Sequence, residues 1–80
     1  ADPTRNAQNA VKVMLKFLLL DKQSMPLEEV ASAMCGMDLI RNANSRYLNK
    51  DDTELAQWAV AQLVRAGAAE VQGGRLVNRD

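Results

Sequence analysis

The chain contains no histidine and a single cysteine, Cys35. Without histidine it lacks the commonest general base and metal ligand of neutral pH. One thiol excludes an internal disulfide and any cluster of cysteine ligands. Aromatics are almost as scarce, with one each of Phe17, Tyr47 and Trp58, so a core must come from aliphatic side chains and methionine. Charge of neither sign is in excess: Lys plus Arg number 10 and Asp plus Glu number 10. The strongly basic balance that points to nucleic acid through counterion release is therefore missing. The apolar stretch Val11–Leu20 is broken by Lys12 and Lys16 and suits neither a membrane span nor a secretory signal. No membrane partner is expected, and the cytoplasm is the expected compartment.

Catalysis has little to build on. Cys35 has no histidine partner, and Ser24, Ser32 and Ser45 have no base at a recognisable spacing. The carboxylates Asp51, Asp52 and Glu54 sit where a helix begins, and there they act as capping and dipole residues more readily than as a cation site. The glycines form no phosphate-binding loop. The expectation is a non-enzyme with no cofactor and no metal.

What is present is a regular alternation of apolar helical patterns. The 80 residues, 48% of them hydrophobic, suit one domain with one core. Residues 1–5 read as a disordered tail or a cloning remnant, and 6–80 as the domain. A first helix is expected over Asn6–Lys22, with Ala7, Val11, Met14, Leu15 and Leu18 on one stripe and Val13, Phe17 and Leu20 beside it. Apolar groups cover more than half of its circumference, wider than one core-facing stripe requires. It is either a central helix wrapped by the others or a helix that also meets another chain; the second reading implies a homodimer through helix one.

The stretch Gln23–Pro26 interrupts the pattern, and Pro26 suits the first turn of a second helix, Leu27–Met34, which Gly36 stops. Asp38 is placed to cap a third helix, Leu39–Asn49, and Asp52 or Thr53 a fourth that ends at Gly67. In the fourth helix Leu55, Ala56, Ala59, Val60, Leu63, Val64 and Ala66 are expected on one face. Glu54, Gln57, Trp58, Ala61, Gln62 and Arg65 are expected on the other. The one β signal is the tail. Ala69–Gln72 and Arg75–Asn78 flank Gly73-Gly74, a dipeptide that accepts the positive φ values of a tight hairpin turn. Such a hairpin is marginal alone and must lean on the helices. The fold class is thus mainly α with a small C-terminal β-hairpin, about four helices and a two-stranded wing.

Two segments carry a family resemblance. MPLEEVASAMCGMD (Met25–Asp38) is similar to the first half of a helix-turn-helix, and LVRAGAAEVQGGRLVNR (Leu63–Arg79) is similar to a helix that runs into a wing. Together they resemble the winged helix-turn-helix superfamily. The resemblance implies a DNA-binding domain, regulatory or part of a DNA-processing assembly, with one helix in the major groove and the wing along the backbone. The segment Leu39–Lys50 is additional to that pattern. Either it is the reading helix, or it is an insertion and Thr53–Ala66 is the reading helix.

The residue types favour the first arrangement if duplex DNA is the ligand. Arg41, Asn42, Ser45, Arg46, Asn49 and Lys50 can reach phosphates and base edges, and Arg75 at the wing tip suits a phosphate. Thr53–Ala66 offers one cation, Arg65, and follows two acids. The alternative is a winged-helix-like adaptor or assembly module that binds protein through the exposed face of the pre-wing helix. Trp58, Gln57 and Arg65, with Phe17 and Leu20 of helix one, are its candidate contacts, Trp and Arg being enriched among residues that dominate interfaces; Trp58 is otherwise ordinary core, covered by helix one or three. Cys35 is expected to be a small packed residue.

Overall fold

A computed structural model describes residues 2–80. The element order is α1 (Pro3–Lys22), β1 (Ser24–Pro26), α2 (Leu27–Cys35), α3 (Asp38–Ala43) continued by a π-helical turn (Asn44–Leu48), α4 (Asp52–Arg65), β2 (Ala69–Gln72) and β3 (Arg75–Asn78). Four helices and a C-terminal hairpin therefore form as the sequence predicts, in an arrangement compatible with a winged-helix-like architecture.

Helix α1 begins earlier than predicted. The Asp2 side chain accepts from the amides of Thr4 (3.0 Å) and Arg5 (3.4 Å), and Pro3 opens the first turn, so residues 3–5 are helical rather than part of a tail. Ala7, Val11, Leu15 and Leu19 are its buried stripe. The helix ends without a glycine. Gln23 itself takes a positive φ of 69°, its amide donating to the Leu19 carbonyl at 2.7 Å and its side chain to the Leu20 carbonyl at 2.7 Å.

The hairpin is not the only β structure. Ser24–Pro26, predicted as a simple break, is a third strand, and the antiparallel sheet has the order β1-β3-β2. Met25 pairs with Leu76, and Leu76 with Val71 on its other side. Met25 and Leu76 turn inward and are buried, while Val71 at the outer strand remains exposed. This pairing meets the requirement that a two-stranded hairpin find further support. Gly73 (φ 54°) and Gly74 (φ 73°) make the turn, both left-handed as a two-residue hairpin of this type demands. The Gly74 carbonyl accepts from the Leu27 amide at 2.9 Å, tying the turn to the start of α2.

Several expected caps differ. Pro26 precedes α2 rather than opening it, and Gly36 closes α2 in an ordinary right-handed conformation (φ −75°). Asp38 is the first residue of α3 rather than its cap, and Asp51, without a side-chain capping bond, precedes α4. The third helix does not run uniformly to Asn49. Its last turn widens because Asn44 holds Lys50 from both sides: Nδ2 donates to the Lys50 carbonyl (2.8 Å) and Oδ1 accepts from the Lys50 amide (3.0 Å). Asn49 then reverses the chain in the left-handed region (φ 54°, ψ 47°), one of the few non-glycine residues that does so readily.

One aliphatic core joins the elements: Val11, Leu15 and Leu19 of α1, Met25, Val30 and Met34, Ile40, Leu55, Ala59 and Leu63 of α4, and Leu76. Among the described residues no polar or charged side chain is buried. Helix α3 and its π turn pack on α1, whereas α4 packs on α2 and runs into β2. No described helix is long and apolar enough to cross a membrane.

Candidate functional site

The packing of α4 on α2 leaves a groove between them, closed at one end by β2. Its volume is about 660 Å³. Small side chains, Ala31 of α2 with Ala56 and Ala61 of α4, line it together with Val30 and Val60. Leu27, Val64 and Val71 stand around it, 36%, 41% and 48% exposed. Its polar lining consists of Glu28, Thr53 and Gln57, and Glu28 is its one charged group. Periodicity places Val60 and Val64 with the core-facing residues of α4, but the structure buries only Leu55, Ala56, Ala59 and Leu63. Val64 is left in the open because α2 covers one flank of α4 incompletely.

Of the predicted DNA-contacting residues, Arg41, Asn42, Ser45 and Arg46 lie along α3 and its π turn, Asn49 and Lys50 follow it, and several are already engaged. Arg41 is paired with Asp38 (2.6 Å) and reaches the Cys35 carbonyl (3.5 Å). Lys50 is paired with Glu54 (3.1 Å) and fixed at its backbone by Asn44. Both ion pairs are exposed and worth little individually, but each places a carboxylate beside a cation that would have to meet a phosphate. Asn49 is the left-handed chain reversal, and Ser45 bonds back to the Asn42 carbonyl at 3.3 Å. Asn42 and Arg46 are exposed and share a shallow depression with Tyr47, Leu39 and the start of α1. Arg75 lies at the hairpin turn, its Nε donating to Ser24 Oγ at 3.2 Å across the sheet.

The candidate protein contacts do not form one patch. Gln57 lines the α2–α4 groove. Arg65 belongs to a separate cleft with Lys12, Lys16 and Gln62, between α1 and the end of α4. Trp58, on the polar side of α4 by periodicity, is half-buried and packs against the core, as its core reading expects, and so is not a free contact. Phe17 and Leu20 are on the outer surface of α1, 58% and 52% exposed. The groove residues Leu27, Ala31, Val60, Ala61, Val64 and Val71 were not singled out by sequence reasoning. A run of alanines and valines on a helix reads as core until the packing partner is known.

Cys35 packs against the core, and burial pushes its thiol up to about 11, reinforced by the neighbouring Asp52 carboxylate. It is thereby kept protonated and unreactive at neutral pH. Among the described residues no group of acidic, histidine or cysteine side chains is placed to hold a metal ion. Comparison of the chain with protein-family models, curated proteins and solved structures returned no match.

Proposed function

We propose that the chain is a winged-helix-like protein-interaction module that takes an amphipathic helix of a partner protein in the groove between α2 and α4. Its kinship with the winged helix-turn-helix superfamily is part of the proposal. It is supported by the sheet order β1-β3-β2, by β1 lying between the first two helices, and by the helix that leads into the hairpin. The observation that carries the reading is the lining of that helix's outer side. Where a DNA reader needs cations, α4 presents Val60, Ala61 and Val64 toward a groove whose one charge is Glu28.

A helix suits this groove because small residues on both walls allow a third helix to approach closely, the helix-in-groove mode of recognition. The lone carboxylate favours basic residues on the flanks of the occupant. Full burial of a large aliphatic side chain is worth roughly 1.5–3 kcal/mol, so covering what remains of Leu27, Val64 and Val71 contributes about 2–4 kcal/mol before the cost of association.

A second reading, duplex DNA bound by the third helix, rests on the joint exposure of Asn42 and Arg46. Anisotropy titrations separate the two. A labelled amphipathic peptide of leucine and lysine is expected to bind and to be lost on Ala61→Arg, which fills the groove. A leucine–glutamate peptide is expected to bind more weakly. Labelled duplex DNA that binds steeply with falling salt, and is lost in Asn42→Ala/Arg46→Ala, would replace the groove reading.

A further inference from the structure

Helix α1 has a second, mostly apolar face that its own fold leaves exposed, with its start bordering the depression beside α3. Asn6, Ala10, Val13, Phe17 and Leu20 recur at spacings of four, three, four and three residues, and all five are exposed. They lie opposite the buried Ala7, Val11, Leu15 and Leu19. A 4-3-4-3 repeat is the seam of a two-stranded coiled coil, with Asn6, Val13 and Leu20 at d and Ala10 and Phe17 at a. A hollow of about 160 Å³ opens on this seam among Val13, Phe17 and Leu20, with Lys16 and Asp80 at its edge, and offers a hole for a facing knob.

We infer that this face is a self-association surface, on which α1 of a second copy packs in parallel to make a two-fold dimer. The flanking charges select both the occupant and its direction. With Phe17 at a, Lys16 is at g and Asp21 at e of the following heptad. In a parallel pair, g of one helix meets the e five residues on in its partner, so Lys16 meets Asp21 of the second copy, twice by symmetry. In an antiparallel pair g meets g and e meets e, so the Lys16–Asp21 contact is not made. Asp21 and Lys16 are both exposed, and the existing Lys16–Asp80 contact at 3.6 Å is loose enough to share the ammonium. The seam spans little more than two heptads, so the dimer is weak and forms at high chain concentration. It is independent of the α2–α4 groove, which lies on other helices, and dimerisation would present two grooves.

Sedimentation equilibrium of the intact chain, up to about millimolar concentration, tests this. The mass is expected to rise from 8.8 kDa toward twice that value, and Phe17→Glu, at an exposed position, is expected to keep the chain monomeric with an unchanged circular dichroism spectrum. Lys16→Asp and Asp21→Lys should each weaken the dimer roughly tenfold by turning two weak attractions into repulsions. Mixing these two variants should restore association, because each hetero-pair then has opposite charges at both contacts. A monomer at the highest concentration, a dimer indifferent to Phe17→Glu, or a dimer that neither charge reversal weakens would overturn the inference. Failure of groove binding with intact dimerisation would leave this surface standing.

Discussion

Asn44 is the side chain on which the end of the third helix depends. Its two hydrogen bonds to the Lys50 backbone, at 2.8 and 3.0 Å, are partly buried. Asn44→Ala removes both at once and leaves the Lys50 amide and carbonyl without those partners. An intramolecular hydrogen bond contributes about 0.5–1.5 kcal/mol net, so the loss of two predicts a destabilisation of about 1–3 kcal/mol. Asn44→Asp keeps the acceptor for the Lys50 amide and loses the donor to its carbonyl, and should cost about half as much. The control is Asn42→Ala. Asn42 is exposed and its side chain makes no hydrogen bond among the described residues, so its removal should stay within about 0.5 kcal/mol of the parent. Urea unfolding followed by circular dichroism reads the difference as a lower midpoint, by about 1–2 M for Asn44→Ala at an unchanged slope. An Asn44→Ala midpoint equal to that of Asn42→Ala would refute the role of Asn44 in closing the helix, and with it the account of the π turn.

Three other expectations follow from local geometry. Gly74→Val should destabilise by about 1–2 kcal/mol in thermal unfolding through backbone strain alone, because a side chain at this left-handed position meets nothing within 4 Å; Gly74→Asn should cost much less. Asp2→Ala removes the acceptor for two helix-start amides and should cost about 1 kcal/mol, with faster hydrogen exchange at Thr4 and Arg5. Cys35 is raised from 9.0 to about 11, so the folded chain holds its thiol proton where the unfolded chain has lost it. Stability should therefore be unaffected below pH 9 and fall as pH rises from about 9 to about 11. Alkylation at neutral pH should be roughly a hundredfold slower than for an unperturbed thiol, and a normal alkylation rate in the folded chain would contradict this.

The helices and the hairpin were legible because their signals are local: a 3.6-residue apolar period, a proline before α2, and Gly-Gly between two short apolar runs. Strand β1 was not, since Ser24-Met25-Pro26 becomes a strand only by pairing with β3, some fifty residues on along the chain. The start of α1 was missed by setting Asp2 and Pro3 aside, although an acid followed by proline is itself a helix-start signal. The Asn44–Lys50 clasp shows why a helix rich in asparagine need not be a reader of bases: Asn44 supplies bonds, and Asn49 a left-handed turn. Trp58 lies on the polar side of α4 by periodicity, yet its reading as core covered by a neighbouring helix holds, because α1 and α2 pack on different flanks of that helix. The groove lies on the flank that α2 leaves partly open, and helix–helix packing of that kind has no signature in the spacing of one helix.

The most direct test of the groove is amide proton–nitrogen correlation spectroscopy of the chain titrated with the leucine–lysine helix and, separately, with duplex DNA at low salt. The account predicts that the peptide shifts the amides of Leu27, Ala31, Gln57, Ala61, Val64 and Val71, that Ala61→Arg abolishes these shifts, and that DNA leaves them unmoved. Shifts that fall instead on Arg41–Lys50 and Arg75 when DNA is added, with the groove silent to the peptide, would contradict it.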